Sequence, residues 1–353
     1  MKLLERFTAK SNKEALNKLV GSLKELRQRS DIAVLSPMPT GYEWLGVYNG
    51  GKSMFSEYFI DLPHYYSQSV FNQKELDALA KTIIGLSFKQ LYFNGFPAYF
   101  ESFITKIKNE QPGVKTAVIY HGFPAELSGN KKTQAAVNGM VHLTQQKKLD
   151  KIGFAKKGFG LAFQQLYKIP CYELIYYNPE PLTDVKKIND GKIHVGVLVN
   201  NSFRKNFHTQ VMAALLIENS IVHVMDNSEL AYLESESRII AHGHQNHDEF
   251  LRLLSTMDIN FHVTFSEASG GQVCSESISQ GVPCVSGYTS AFFDYDEEMK
   301  KAMVVEGYDD PYSIFLKAKE VLAKRDELSK KCLAYSAHLN ILAKERVKTF
   351  IAA

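Results

Sequence analysis

The sequence predicts an α/β protein of two domains with largely parallel sheets. Three observations carry that expectation. The chain has 353 residues, more than one average domain and about right for two. Short apolar runs alternate with amphipathic stretches along its whole length, the pattern of strand-helix-strand units. The pattern also breaks once, at the proline- and charge-bearing segment NPEPLTDVKKINDGK, and restarts after it.

The elements follow in order. SNKEALNKLVGSLKELRQRS places Leu16, Leu19, Leu23 and Leu26 on one face of a helix. Asp31–Ser36 is a short buried strand, followed by an irregular stretch rich in Gly, Pro and Tyr. The alternation then gives helix Gln73–Ile84, strand Gln90–Phe93, helix Ala98–Asn109, strand Val114–His121 and helix Thr133–Gln146. Strand Lys151–Phe154, helix Gly160–Tyr167 and strand Cys171–Tyr177 end the first half. The second half opens on KIHVGVLV, an apolar run suited to a central parallel strand. Helix Thr209–Ile217, strand SIVHVMD, strand RIIAH, helix His247–Met257, strand DINFHVTF and helix Val273–Gln280 follow. Strands PCVSG and AMVVEG, helix Pro311–Lys324 and a last helix from about Glu327 to Ala353 close the chain. The expected domains are 1–180 joined by 335–353, and 190–334, with the site at the carboxyl ends of the strands.

Composition excludes several classes. Hydrophobic residues are 45% and charged ones 22%, so neither disorder nor a fibre fits. The four cysteines, Cys171, Cys274, Cys284 and Cys332, show no C-x-x-C spacing, which speaks against a disulfide framework or zinc ligand set and for a reducing, cytoplasmic setting. No run approaches the length of a membrane span or signal sequence. The net charge of +3 hides an asymmetry: residues 1–190 hold 25 Lys+Arg against 17 Asp+Glu, and residues 191–353 hold 16 against 21. Seven lysines, at 131, 132, 147, 148, 151, 156 and 157, face one acid, Asp150. The first half is therefore expected to meet something anionic, such as the inner face of a membrane or an anionic glycan; a solvated helix surface is the plainer reading. No nucleic-acid recognition motif is present.

The stretch TFSEASGGQVCSESISQGVPCVSG carries the most chemistry. A strand ends in a Ser/Glu/Gly loop containing Ser266 and Glu267, Gly270 and Gly271 open a helix, and Glu276 lies about one turn in. Backbone N–H groups at such a helix start can hold a phosphate, and a carboxylate beyond them can accept two ribose hydroxyls. This stretch resembles the signature of retaining GT-B glycosyltransferases of the family-4 type, in which an acidic residue, a Gly-rich loop, a second Glu and a G-x-P-V-V strand succeed one another. The second Glu matches Glu276. The first falls at Ala268, with Glu267 one residue earlier.

The resemblance implies two facing Rossmann-like domains with a central cleft, a last helix crossing back to the first domain, and a nucleotide-sugar donor, UDP- or GDP-linked. It assigns Arg204 and Lys205, just after the first strand of the second half, to the donor diphosphate, where fixed cations stabilise the leaving charge without a metal or other cofactor. The turn His242–Gly243–His244 is placed near the base, so Gly243 and His244 join the donor set. His121 ends a first-half strand where the family sets a histidine close to the transferred sugar; a structural histidine is the alternative. The implied reaction moves a sugar, with retention, to a glycan, lipid-linked or other acceptor, as in polysaccharide biosynthesis. A non-catalytic partner protein of the same fold is the alternative function.

Three other patterns carry a chemical reading. GVYNGGKS, Gly46–Ser53, has the spacing of a phosphate-binding P-loop ending on Lys52. The competing expectation is a flexible acceptor-side loop on which Tyr42, Trp44 and Tyr48 stack against a sugar or lipid. Asp294–Tyr295–Asp296 mimics a D-x-D metal site but reads as acidic surface. His242, His244 and His247 lack a common face, and no metal site is expected.

Overall fold

The structure is a computed structural model that describes residues 2–39, 44–65, 71–267 and 271–353. The chain divides into two compact units, Met1–Tyr177 with Ala343–Ala353, and Asn178–Leu342. Each is a parallel six-stranded sheet with helices packed on it, the α/β class expected.

Unit 1 runs α1 (Lys2–Arg29), β1 (Ile32–Met38), α2 (Leu45–Phe55), β2 (Phe59–Tyr65), α3 (Gln73–Leu86), β3 (Gln90–Asn94), α4 (Tyr99–Glu110), β4 (Lys115–Tyr120), α5 (Lys131–Gln145), β5 (Lys151–Phe154), α6 (Lys157–Tyr167) and β6 (Cys171–Glu173). The strand order is β2-β1-β3-β4-β5-β6. Leu19, Leu23 and Leu26 of α1 are buried in the core with Leu79 and Ile83 of α3, each such side chain contributing about 1.5–3 kcal/mol. On the other face Val34, Phe55, Tyr92 and Ile119 enclose Phe350.

Two elements differ from the expectation for residues 37–72. That stretch holds helix α2 and edge strand β2 where an irregular segment was expected. Gly50 and Gly51 are helical because the helix presses on its neighbours there: a Cβ on Gly50 would lie 2.8 Å from the Tyr176 ring, and one on Gly51 would overlap the Asn94 amide. Pro63 is tolerated in β2 because that strand is the sheet edge.

Unit 2 runs β7 (Ile193–Val197), α7 (Phe207–Leu215), β8 (Ser220–Val224), β9 (Ile239–Ala241), α8 (His247–Thr256), β10 (Ile259–His262), α9 (Gln272–Ser279), β11 (Cys284–Gly287), α10 (Glu297–Met303), β12 (Val304–Val305), α11 (Pro311–Ala323) and the first part of α12 (Arg325–Ala352), whose residues from Ala343 on belong to unit 1. Its order is β12-β11-β10-β7-β8-β9. The order reverses direction at β7, so the crevice between the carboxyl ends of β7 and β10 is the topological switch point. The segment expected as a linker is fixed to unit 2: Asn178 is buried and bonded to Ser275, Ser336 and Asn340, and Leu182 N–H donates to Gln280. The expected strand AMVVEG shortens to β12: Ala302 and Met303 end α10, whose Met299 and Met303 enter the core one helical turn apart, and Val304–Val305 pair with β11. Among the described residues no helix is long and apolar enough to cross a membrane.

Candidate functional site

The switch point of unit 2 gathers the charged residues singled out in the sequence. Beyond β7 the chain makes a short turn at Phe203–Lys205, and beyond β10 it runs through Val263 to Glu267. The two loops are tied by backbone: Phe265 N–H donates to the Arg204 carbonyl at 2.9 Å. Gln210, fully buried on α7, braces both, donating to the Lys205 carbonyl at 2.7 Å and accepting from Val263 N–H at 2.9 Å.

These ties bring the cations to a buried carboxylate. Lys205 Nζ lies 2.5 Å from Glu267 Oε2 and Arg204 Nη1 3.7 Å from Oε1. His262, the last residue of β10 and fully buried, puts Nε2 3.1 Å from the same Oε2. Burial alone would raise the Glu267 pKa, but Lys205, the His262 hydrogen bond and Arg204 together hold it well below the usual carboxylate value. Burial, then Lys205, lowers the His262 pKa. Its Nδ1 is buried with no hydrogen-bond partner among the described residues. Ser266 contributes its carbonyl, 3.5 Å from Arg204 Nη1.

Gly271 completes the cluster. It precedes α9 at φ +79°, and a Cβ there would meet the His262 ring at 2.8 Å, so only glycine lets the helix start against that ring. Gly270 and Ala268 lie outside the described residues, as does Tyr42. Glu276 sits in α9 with its side chain 13% exposed, and His247 Nδ1 is 3.6 Å from its Oε1. Burial pushes the Glu276 carboxyl up to about 8. The turn after β9 is shaped by Gly243 at φ +69°, whose N–H donates to the Met225 carbonyl. His244 is exposed on that turn.

In unit 1 His121 follows β4 and is 3% exposed. Its Nε2 lies 2.7 Å from Asn94 Oδ1 and its Nδ1 bonds the Tyr176 hydroxyl. Asn94 in turn donates to Ser36 Oγ and to the Val47 carbonyl. Burial takes the His121 pKa down to about 3, so the ring is neutral at pH 7.

Two expectations are corrected. Trp44 and Tyr48 belong to the start of helix α2, where a flexible loop was expected, and Tyr48 donates to Asp61 at 2.8 Å. The P-loop spacing is also helical throughout, with Lys52 bonded to the Tyr48 hydroxyl at 3.0 Å. The N–H groups a P-loop would aim at phosphate are used inside the helix. Asp296 caps α10 and Asp294 pairs with Lys300, so neither is set apart for a metal.

His262, Asn94 and Tyr176 were not singled out in the sequence. The available signal was alternation: Asn260 and His262 interrupt the apolar period of β10 on one face, as polar residues do when a strand borders a site.

No protein-family model and no curated protein matches the sequence. Solved structures do. The Burkholderia xenovorans UDP-forming α,α-trehalose-phosphate synthase superposes at TM-score 0.61 with 12% identity, covering 92% of this chain and 98% of that one. Anabaena Alr3699/HepE, solved in complex with UDP, superposes at 0.65 with 12% identity over 91% and 99%. Sucrose-phosphate synthase from Thermosynechococcus elongatus gives 0.56 with 12% identity over 82% and 78%. The chain thus has the α/β fold of GT-B glycosyltransferases.

Proposed function

We propose that the protein is a nucleotide-sugar-dependent glycosyltransferase. The observation that carries the reading is the convergence of Arg204, Lys205, Glu267 and Gly271 at the switch point of unit 2. One neighbour of the same fold, Anabaena Alr3699/HepE, was solved with UDP and with UDP-glucose, which supports a uridine diphosphate donor over a guanosine one.

In this proposal the donor diphosphate lies against the Gly271 end of α9, where N–H groups lack helical partners. Arg204 and Lys205 bring two fixed cations, a guanidinium and an ammonium, to that end. They stabilise the charge that grows on the diphosphate as the glycosidic bond breaks. Glu267 keeps both cations oriented and leaves the trio at a net +1. Glu276 accepts the ribose hydroxyls, and the 242–244 turn meets the base. The reading has retention of configuration, with the acceptor attacking from the face the diphosphate leaves and its proton passing to that phosphate. No metal or cofactor enters it. His121, neutral and held on both sides, positions the sugar and is not an acid or base. The lysine-rich first half takes the acceptor, a glycan or lipid-linked sugar, at an anionic membrane surface.

A thermal-shift titration tests this with the variants Glu276→Ala and Lys52→Ala. UDP or GDP is expected to raise Tm of the parent and of Lys52→Ala and to leave Glu276→Ala unmoved. The opposite pattern overturns the reading, and no shift from any nucleotide or nucleotide sugar leaves a non-catalytic protein of this fold.

A further inference from the structure

One face of the unit 2 sheet carries a line of histidines, and the proposed reaction touches it only at its His242 end, in the 242–244 turn. His194 and Gly196 of β7 alternate with the core residues Val195 and Val197, so they share the opposite face. His223 of β8 pairs with Gly196, and Val224 pairs with Ala241, the residue before His242. The three rings therefore lie on a diagonal across neighbouring strands. His194 Nδ1 is 2.8 Å from His223 Nε2, and His223 Nδ1 is 2.8 Å from His242 Nε2, with the last two rings stacked at 19°. At the far end His194 Nε2 is 3.0 Å from Asp190 Oδ1.

An ionised carboxylate only accepts, so Asp190 fixes the direction of the whole row. His194 must carry its proton on Nε2 and accept at Nδ1. His223 then carries Nε2–H and accepts at Nδ1, and His242 carries Nε2–H. In this state His242 Nδ1 holds a lone pair. Suppose one proton is added at His242 Nδ1. His242 passes its Nε2 proton to His223 Nδ1, and His223 passes its own Nε2 proton to His194 Nδ1. One proton has entered, the positive charge sits on His194 beside the Asp190 carboxylate, and both other rings are neutral again. They are now Nδ1–H tautomers, and His242 Nδ1 has become a donor.

We propose that His194, His223 and His242 form a tautomer relay through which protonation at the Asp190 end decides whether His242 presents an acceptor or a donor to the base of a bound nucleotide. The inference rests on the proposed placement of the base at the 242–244 turn. A base edge with an N–H, as in uracil or guanine, is accepted by the neutral relay and refused by the protonated one. Burial holds His223 at about 4 and lowers His242, which keeps the charge off those two rings. The ionisable groups around the row are few. Asp258 accepts the His194 backbone N–H and pairs with Arg325, and Lys187 lies beside that pair. His262 with Glu267 lies further along the same face, and Glu276 with His247 lies on α9 and α8. Among the described residues no carboxylate lies within ion-pair distance of His223 or His242.

The test is long-range ¹H–¹⁵N NMR of the histidine rings in the free protein, with UDP titrations in parallel. At pH 8 His223 and His242 are expected as Nε2–H tautomers. On acidification both convert to Nδ1–H in step with double protonation of His194. His223→Phe uncouples His242 from His194, and Asp190→Asn removes the conversion. UDP affinity falls by up to about tenfold per pH unit once the relay is protonated, and this component is absent from both variants, whereas any contribution of Glu276 persists in them. Rings that keep Nε2–H throughout, or unfolding before any ring converts, overturn the relay. Conversion with an unchanged pH dependence of UDP binding in the variants overturns its link to the base. Conversion in a protein that binds no nucleotide leaves the relay standing and overturns the donor reading.

Discussion

Lys205 Nζ and Glu267 Oε2 are 2.5 Å apart, with both side chains nearly buried, and His262 touches the same oxygen. Neither charge is stable there alone, because a buried ion without its partner is expensive. Lys205→Met is therefore expected to destabilise unit 2 by roughly 3 kcal/mol, and adding Glu267→Gln to recover most of that loss. Denaturant midpoints of the single and double variants measure it. If the proposed reaction holds, the double variant is expected to have lost glycosyl transfer, because in that reaction the cation serves the leaving group as well as Glu267. A loss in the double variant equal to the sum of the Lys205→Met and Glu267→Gln losses would mean that the pair is not coupled.

The same pair gives a pH dependence. Glu267 is held below its ordinary value, so its contribution to stability is present above the unfolded carboxylate pKa and is lost as pH falls through the folded one. The gap in stability between the parent and Glu267→Gln is expected to be full at pH 7 and to shrink in acid. A gap that widens in acid would reverse the sign.

Glu276 behaves oppositely. Its folded pKa, about 8, lies above the ordinary 4.5, so between those values the folded state keeps a proton that the unfolded chain has released. Stability then falls as pH rises from about 4.5 to about 8. Glu276→Gln is expected to be more stable than the parent at pH 8, by roughly 2–4 kcal/mol, and no more stable below about pH 4. Above about pH 8, where Glu276 is ionised, Glu276→Gln is also expected to bind UDP more weakly, because an amide accepts the ribose hydroxyls less well than a carboxylate. Melting curves across pH and a UDP titration settle both halves.

How much of this was legible follows from where each signal lives. The strands that bury both faces, such as Val114–His121 and Lys192–Val199, announce themselves because parallel sheets need continuous apolar runs. Arg204, Lys205, Glu267 and Glu276 were singled out through the resemblance of two local stretches to a family signature. Their pairing was not, since Lys205 and Glu267 are 62 residues apart and meet only once Gln210 has braced the loops. Helix α2 is not legible in the sequence because Gly50 and Gly51 weaken helix propensity and are explained only by Tyr176 and Asn94, which are distant in sequence. The histidine diagonal was hidden for a similar reason: KIHVGVLV reads as an apolar strand until its neighbours supply His223 and His242.

The two glycines of α2 separate a packing role from a phosphate-binding one. A Cβ on Gly51 would strike the Asn94 amide that holds His121. Gly51→Ala is expected to destabilise unit 1 by about 1–3 kcal/mol through overpacking. Lys52→Ala, on the exposed face of the same helix, is expected to change stability by less than about 0.5 kcal/mol and to leave UDP binding intact. Urea unfolding of both variants checks the contrast, and loss of nucleotide binding in Lys52→Ala would restore the P-loop.

The lysine-rich segment of unit 1 is not uniform. Lys131, Lys132, Lys147 and Lys157 are exposed, and Leu161 and Leu166 of α6 are exposed near them in sequence. Lys151 is instead buried against the rings of Tyr92 and Phe350 and donates to the Phe350 carbonyl, satisfying the end of α12. If the basic half meets an anionic membrane, only the surface lysines contribute, each by about 1 kcal/mol within a Debye length of the bilayer. Cosedimentation with phosphatidylserine vesicles is expected at low ionic strength and to be lost near about 0.5 M salt, where screening reaches only a few ångströms. Lys131→Glu with Lys132→Glu is expected to weaken it more than tenfold, whereas Lys151→Met leaves it unchanged. Binding that ignores salt, or that depends on Lys151 as much as on Lys132, would mean the positive charge of unit 1 is there for the fold and not for a surface.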